Sequence, residues 1–221
     1  MTLLVRRALD LAFPATCAGC GSEGEPLCPR CAPALDARLQ LPPGTPLGLA
    51  ADLPEPLLQV EWCAPFAGVV RRALHDLKYR GERRLARPLG AAVARRWART
   101  GRGGDVLVPV PVHGRRRRER GYDQGELIAA AAAGEVGLPV APVLERWRAT
   151  EAQFALDRRR RAGNVAGAFR PRTGMERALR GTWVVLVDDV LTTGATLRAC
   201  AETLERAGAA AVSAVTVARE R

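Results

Sequence analysis

Val184-Val185-Leu186-Val187-Asp188-Asp189-Val190-Leu191-Thr192-Thr193-Gly194-Ala195-Thr196 is the stretch that decides the fold. Its first four residues form a continuous apolar, mostly β-branched run, the pattern of a strand buried on both faces. Two carboxylates follow, then a hydroxyl- and glycine-rich turn, then a helical pattern from Leu197 to Ala207. Such a strand carries its polar chemistry at its C-terminal end, where open α/β sheets take their ligands. A turn that opens a helix also presents backbone N–H groups and a helix dipole, which favour an anion such as phosphate. Carboxylates beside it accept sugar hydroxyls or, through Mg²⁺, further phosphate. An ordinary strand-to-helix turn with a capping threonine needs one hydroxyl and no acidic pair.

The same residues resemble the phosphoribosyl-pyrophosphate signature of type I phosphoribosyltransferases: four apolar, two acidic, two apolar, then Thr-Thr-Gly-Ala-Thr. The resemblance implies that Asp188 and Asp189 hold the ribose 2′- and 3′-hydroxyls. Thr192, Thr193, Gly194, Ala195 and Thr196 would then wrap the 5′-phosphate. Competing nucleotide sites fail on their own requirements. A nucleotide hydrolase needs a Gly-x-x-x-x-Gly-Lys-[Ser/Thr] loop, and Lys78, the one lysine in the chain, follows Leu77. Gly101-Arg102-Gly103-Gly104 lacks the last glycine of a dinucleotide fingerprint and follows no convincing strand. No Gly-x-Ser-x-Gly elbow occurs, and His75 and His113 give a hydrolase triad little support.

At 221 residues the chain can bury a good core, and one domain with a small appendage is the expectation. The formal net charge is +11, carried almost wholly by arginine. That excess invites nucleic acid or phosphorylated small molecules, although a chain-wide bias toward Ala, Gly, Pro and Arg accounts for it equally well. No apolar run approaches the length of a membrane span. Arg6, Arg7 and Asp10 interrupt what would be the core of a signal peptide. Leu4, Ala8 and Leu11 instead share one face of a short amphipathic helix, and the chain is expected to be cytoplasmic.

Cys17, Cys20, Cys28 and Cys31 form two C-x-x-C pairs. Each pair presents two thiolates from one tight turn, and four sulfurs close a structural zinc site of the knuckle type. Two disulfides would need an oxidising compartment, and a redox motif would need a βαβ context. Cys63 and Cys200 sit in apolar settings and read as core thiols.

Three segments follow: a helix and zinc module over 1–33, a proline-rich connector over 34–59 (Pro42, Pro43, Pro46, Pro54, Pro56), and the main domain over 60–221. Within the last, strands are expected at Val60–Phe66, Asp105–Pro111, Val140–Leu144 and Val212–Val217, with an extended segment at Val165–Phe169. Helices are expected at Val69–Tyr79, Leu85–Thr100 and Asp123–Ala133, and an arginine-rich loop at Gly114–Gly121. Strands alternating with helices give an α/β fold with a mostly parallel sheet.

Further stretches carry a second resemblance. Leu77-Lys78-Tyr79-Arg80-Gly81 lies upstream of Val108-Pro109-Val110-Pro111, which leads into Arg115-Arg116-Arg117-Arg118-Glu119-Arg120-Gly121-Tyr122-Asp123-Gln124. Arg148-Ala149-Thr150-Glu151-Ala152-Gln153 and Arg161-Ala162-Gly163-Asn164-Val165-Ala166-Gly167-Ala168-Phe169 lie downstream. With the signature and the four cysteines, they resemble the ComF family, phosphoribosyltransferase-like proteins associated with natural competence and DNA uptake. The family pattern Gly-Phe-Asn-Gln reads Gly121-Tyr122-Asp123-Gln124 here, and Asp123 reads better as a helix cap than as a phosphate contact.

The resemblance implies a type I phosphoribosyltransferase-like fold that binds phosphoribosyl pyrophosphate with Mg²⁺. Val110, Pro111 and Arg115 would line the pyrophosphate side, with Lys78 and Tyr79 at the substrate. Arginine's fork suits pyrophosphate oxygens, and Lys78 either neutralises the same group or snorkels from its helix. Arg158–Arg161 is equally well a solvated loop. An enzyme of this kind would transfer the phosphoribosyl group to a nitrogen acceptor by positioning and electrostatics, with Asp188, Asp189 and Arg115 in the catalytic roles. The alternative is a single-stranded-DNA-binding competence factor, working with other competence proteins, whose nucleotide-type site is regulatory or inactive. Its arginine clusters favour it, and its few aromatics do not.

Overall fold

The chain enters through a two-stranded antiparallel hairpin, β1 (Ala15–Thr16) and β2 (Glu23–Gly24), in a computed structural model that describes residues 14–44, 54–148 and 167–220. A 3-10 helix over Ala32–Asp36 follows. Next come β3 (Val60–Pro65), α1 (Gly68–Tyr79), a 3-10 turn at Arg83–Leu85 and α2 (Ala86–Thr100). The middle of the chain gives β4 (Val106–Pro109), α3 (Gly114–Arg120), α4 (Gln124–Val136) and β5 (Leu144–Arg146). Then follow β6 (Phe169–Pro171), α5 (Glu176–Leu179), β7 (Trp183–Leu191), α6 (Ala195–Arg206) and β8 (Ala211–Arg219). The expected N-terminal helix through Leu4, Ala8 and Leu11, and the Arg158–Arg161 cluster, lie outside the described residues.

Four strands make a parallel sheet in the order β3-β8-β7-β4. A parallel bridge from Leu107 to Val140 extends its β4 edge. The strand expected at Val140–Leu144 is thus this bridge plus β5, which pairs antiparallel with β6. Both faces are covered, which is why β7 reads as an unbroken apolar run. Val185 and Val187 pack with Leu74, Leu89, Val93, Ile128 and Ala132 of α1, α2 and α4. Val184 and Leu186 pack with Leu197, Cys200 and Leu204 of α6. Cys63 and Cys200 are buried core thiols, as expected.

After β4 the chain proceeds toward Val140 at one edge. After β7 it returns through α6 to β8 on the other side. The strand order therefore reverses between β4 and β7. In an open α/β sheet that reversal leaves a crevice at the carboxyl ends of the two strands.

The expected loop over Gly114–Gly121 is corrected to a helix, α3. Arginine is a good helix former. The Nδ1 atom of His113 accepts the Arg115 N–H at 3.3 Å at the start of α3. Gly121 ends it with φ +75°, a left-handed conformation that glycine adopts without a side-chain penalty. The Arg115–Glu119 pair, four residues apart at 3.3 Å, adds to it.

The described part of the proline-rich connector is tied to the domain. Arg96 of α2, 1% exposed, meets Glu61 of β3, 0% exposed, at 2.6 Å. The same guanidinium donates to the carbonyls of Arg38, Leu41 and Pro42. The other carboxylate oxygen of Glu61 accepts from Gly44 N and Gln59 Nε2. A buried charge pair is tolerable only when its remaining hydrogen-bond capacity is met in this way.

Candidate functional site

Consecutive residues of a strand point to opposite faces of the sheet, so the two carboxylates at the end of β7 meet different surroundings. Asp189 follows the parity of Val185 and Val187 and faces α1 and α4. Its Oδ1 lies 2.8 Å from Lys78 Nζ at the end of α1. Its Oδ2 accepts from Gln124 Nε2, at the start of α4, at 2.9 Å. Asp188 follows Val184 and Leu186. Its Oδ1 accepts the Asp189 N–H at 2.8 Å, and among the described residues no other hydrogen bond reaches its carboxylate. The charge of Asp188 is felt by Arg146 of β5 and Cys200 of α6, on its own face.

These surroundings split the two acidities. Burial, followed by the charge of Asp189, pushes Asp188 up to about 8. Burial also raises Asp189, but the Lys78 ammonium and the Gln124 amide overcome it and hold that carboxyl below its ordinary range. One member of the pair is thus a fixed anion, while the other retains its proton near neutrality.

The turn after β7 opens α6 directly. Gly194 has φ +78° and precedes α6 with no side-chain cap. Beyond the Ala195 N–H, the leading N–H groups of α6 have no side-chain acceptor among the described residues. Thr192, Thr193, Ala195 and Thr196 are partly exposed around it. Thr193 Oγ1 accepts the Ala195 N–H at 3.4 Å.

Across the crevice, β4 runs out through Val110 and Pro111. Val110 N donates to Val187 O at 2.9 Å, which ties this exit to β7 just before the acidic pair. Asp123 takes up the next free N–H, that of Val112, at 3.0 Å, and caps α4 by accepting from Gly125 N at 2.8 Å and Glu126 N at 3.3 Å. A side chain at Gly125 would stand 2.9 Å from the Val110 carbonyl, so α4 begins hard against the β4 exit.

The structure brings Lys78, Val110, Asp188, Asp189 and the Thr192–Thr196 turn to one end of the sheet. Lys78 contacts a carboxylate there. Arg115 stands apart on α3, its side chain 74% exposed and paired with Glu119. Tyr79 is exposed, with His75 against its ring and the Arg120 guanidinium 5.1 Å from its centroid. Burial, then the charges of Arg146, Arg115, Arg118 and Arg116, lower the basicity of His113, so a positive field surrounds the β4 side of the crevice. Sequence reasoning gave Gln124 and Arg146 no site role and placed Arg120 only within the arginine-rich stretch. Gln124 carried a signal as the last residue of Gly121-Tyr122-Asp123-Gln124, and Arg146 carried none.

The cysteine cluster lies elsewhere. The sulfurs of Cys17, Cys20, Cys28 and Cys31 all fall within 4.8 Å of one another. Four sulfurs about 2.3 Å from one ion stand about 3.8 Å apart, so the set can hold a tetrahedral metal ion. Cys17 Sγ accepts N–H groups from Gly19 and Cys28 at 3.3 and 3.4 Å. A Cβ on Gly19 would fall 2.4 Å from Cys31 Sγ, so glycine there is what lets the turn wrap the sulfurs. Arg72 of α1 clasps the knuckle through the carbonyls of Ala18 and Gly19 at 2.8 and 3.0 Å.

A parallel sheet with this reversal and this strand-turn-helix defines a type I phosphoribosyltransferase-like protein, and residues 123–221 match the phosphoribosyl transferase domain. The chain belongs to the ComF family of such proteins. It is 31% identical over 219 residues to DNA utilization protein YhgH of Salmonella typhimurium, across 95% of this chain and 92% of that one. The protein of the same name from Escherichia coli K12 matches to the same extent. Competence protein F of Haemophilus influenzae is 30% identical over 105 residues, 47% of this chain and 45% of that one. Among solved structures, glutamine phosphoribosylpyrophosphate amidotransferase from B. subtilis, complexed with ADP and GMP, aligns at a TM-score of 0.41 and 22% identity over 60% of this chain. The aligned part spans about a quarter (26%) of that chain. Among the described residues no helix is long and apolar enough to cross a membrane.

Proposed function

We propose that this protein binds phosphoribosyl pyrophosphate together with Mg²⁺ at the crevice between β4 and β7, and that it serves DNA uptake. The observation that carries the reading is one continuous unit. β7 delivers a carboxylate pair to the point where the strand order reverses, and the next turn leads into a helix with no side-chain cap. The ribose hydroxyls meet Asp188 and Asp189, and the 5′-phosphate takes the α6 N–H groups among Thr192, Thr193, Gly194, Ala195 and Thr196. The pyrophosphate lies toward Val110 and Pro111, in the field of Arg115 and its neighbours.

Mg²⁺ requires hard oxygen ligands and keeps several waters. Asp188, whose carboxyl among the described residues accepts one backbone N–H, would hold the ion once the ion's charge displaces its proton. The ion would supply charge neutralisation across pyrophosphate and ribose when bound. If transfer occurs, the bond from the anomeric carbon to pyrophosphate breaks as the acceptor nitrogen bonds to that carbon. The residues here orient the donor and hold the departing anion. The donor set of the knuckle supports zinc in a closed structural role, because four sulfurs leave no open position. The names of the YhgH and competence relatives support the link to DNA.

The test is titration calorimetry with phosphoribosyl pyrophosphate and Mg²⁺ on wild type and on the double variant Asp188→Asn/Asp189→Asn. Losing both carboxyl groups weakens binding by more than about a hundredfold. Equal affinity in the two proteins overturns the assignment.

A second reading has its own observation. Trp147 is 46% exposed, with Arg148 4.3 Å and Arg170 5.6 Å from its ring centroid. An exposed ring among arginines suits single-stranded DNA, where stacking joins charge. Affinity falling steeply with salt, and falling further in Trp147→Ala, supports it. No binding at low salt ends it.

A further inference from the structure

Both oxygens of Asp189 are engaged, but by unequal partners. Lys78 is a mobile point charge on a flexible stem. Gln124 is fixed. It is the first residue of α4, 6% exposed, and follows Asp123, whose carboxylate is bonded both to the β4 exit and to the α4 N-terminus. Its amide has two distinct ends. Oε1 accepts from Arg120 Nη1 at 2.7 Å, and Nε2 donates to Asp189 Oδ2 at 2.9 Å. A guanidinium has only donors and a carboxylate only acceptors, so this pair of neighbours permits one amide orientation. Turned over, the amide would set oxygen against carboxylate and NH₂ against guanidinium. Arg120, at the end of α3, is thereby linked to Asp189 through the Gln124 amide. Arginine also keeps its charge at all working pH values, so the link does not lapse.

We propose that Gln124 is a positioning residue for the ribose end of this site, holding Asp189 in place while Arg120 fixes the direction of its amide. The proposal rests on the reading of the crevice as a phosphoribosyl-pyrophosphate site. It adds a division of labour. Asp189 is the oriented, structurally braced carboxylate. Asp188, which among the described residues accepts one backbone N–H, is the one left open to the ligand.

The experiment compares wild type, Gln124→Leu, Arg120→Met and Arg120→Lys by calorimetry with three Mg²⁺-containing probes: phosphoribosyl pyrophosphate, ribose 5-phosphate and inorganic pyrophosphate. Losing one charge-assisted hydrogen bond in a buried site weakens the two ribose-bearing probes about tenfold in Gln124→Leu. Pyrophosphate binding stays as in wild type, which a general disturbance of the fold would not allow. Arg120→Met weakens the ribose probes in the same sense, and Arg120→Lys, which keeps a donor for Oε1, recovers most of the loss. Independently of any ligand, the Asp189 carboxyl ¹³C resonance, assigned with Asp189→Asn, titrates at higher pH in Gln124→Leu. Wild-type affinity for the ribose probes in Gln124→Leu, or parallel weakening of pyrophosphate, overturns the positioning role. A wild type that binds none of the probes overturns the crevice reading itself, and the role of Gln124 falls with it.

Discussion

Replacing Lys78 by methionine separates the charge at the end of α1 from its packing. The Lys78 and Asp189 side chains are 18% and 10% exposed, and 2.8 Å separates Nζ from Oδ1. At that distance, with an effective dielectric of about 20, the bare attraction is about 6 kcal/mol. Most of it offsets the cost of taking both ions out of water, several kcal/mol each. The pair therefore adds little net stability, but removing one partner leaves the other charge buried. Breaking a fully buried pair costs about 3–5 kcal/mol. Asp189 keeps its bond from Gln124, and both groups retain some exposure, so we expect about 2–3 kcal/mol for Lys78→Met at pH 7.5.

The loss depends on pH in a defined sense. Asp189 is held below its ordinary range in the folded protein. Its contribution is therefore present above the unfolded carboxyl value of about 4 and is lost as pH falls through the folded value. Without Lys78 the ammonium no longer offsets burial, which then lifts this carboxyl above its unfolded value. The variant regains stability as that carboxyl is protonated, so the gap between wild type and variant narrows from pH 7.5 toward pH 5. The assay is urea unfolding at both pH values for wild type, Lys78→Met, Asp189→Asn and the double variant, with zinc held constant. The double-mutant cycle should return a coupling above about 2 kcal/mol at pH 7.5, with the double variant recovering most of the loss. A coupling below about 0.5 kcal/mol, the size of an exposed pair, or a Lys78→Met cost unchanged with pH, refutes the reasoning.

Two further expectations concern other groups. If the four sulfurs hold a zinc ion, chelating it, or replacing Cys17, the buried sulfur that accepts two N–H bonds, by serine, loosens the knuckle. We expect Tm to fall by roughly 10 °C, about 3 kcal/mol for a chain of this size. Scanning calorimetry with metal analysis checks it, and an unchanged melt in metal-free protein counts against a structural ion. Asp188, raised to about 8, makes the ligand-free protein progressively less stable as pH rises from about 4 to that value, by up to about 1.4 kcal/mol per pH unit. Asp188→Asn removes that component of the slope, and equal slopes in the two proteins would contradict the raised acidity.

How much was legible in the sequence follows from the kind of signal each residue leaves. The apolar run Val184–Val187, the acidic pair and the glycine turn lie within one segment, so local pattern alone yielded strand, turn and helix in the right order. The Asp123 cap was legible for the same reason, since a cap is a contact between near neighbours. The arginine helix was misread as a loop, because charge density masked what arginine's helix propensity, His113 and Gly121 define locally. Arg115, prominent in the sequence, turns to solvent on that helix and pairs with Glu119.

Gln124 and Lys78 meet across 46 positions of sequence on one carboxylate. No periodicity encodes that meeting. It exists because the parallel strand order and the reversal between β4 and β7 bring the ends of α1 and α4 to the same strand end. By itself the sequence determined the strand that carries the acidic pair, the turn that opens α6 and the four sulfurs that form the knuckle, since each is a matter of neighbouring residues. Only the tertiary structure decided that the two carboxylates are unlike. Adjacent positions on a strand face opposite sides of the sheet, and what covers each side, Lys78 and Gln124 for Asp189, Arg146 and Cys200 for Asp188, is set by long-range packing.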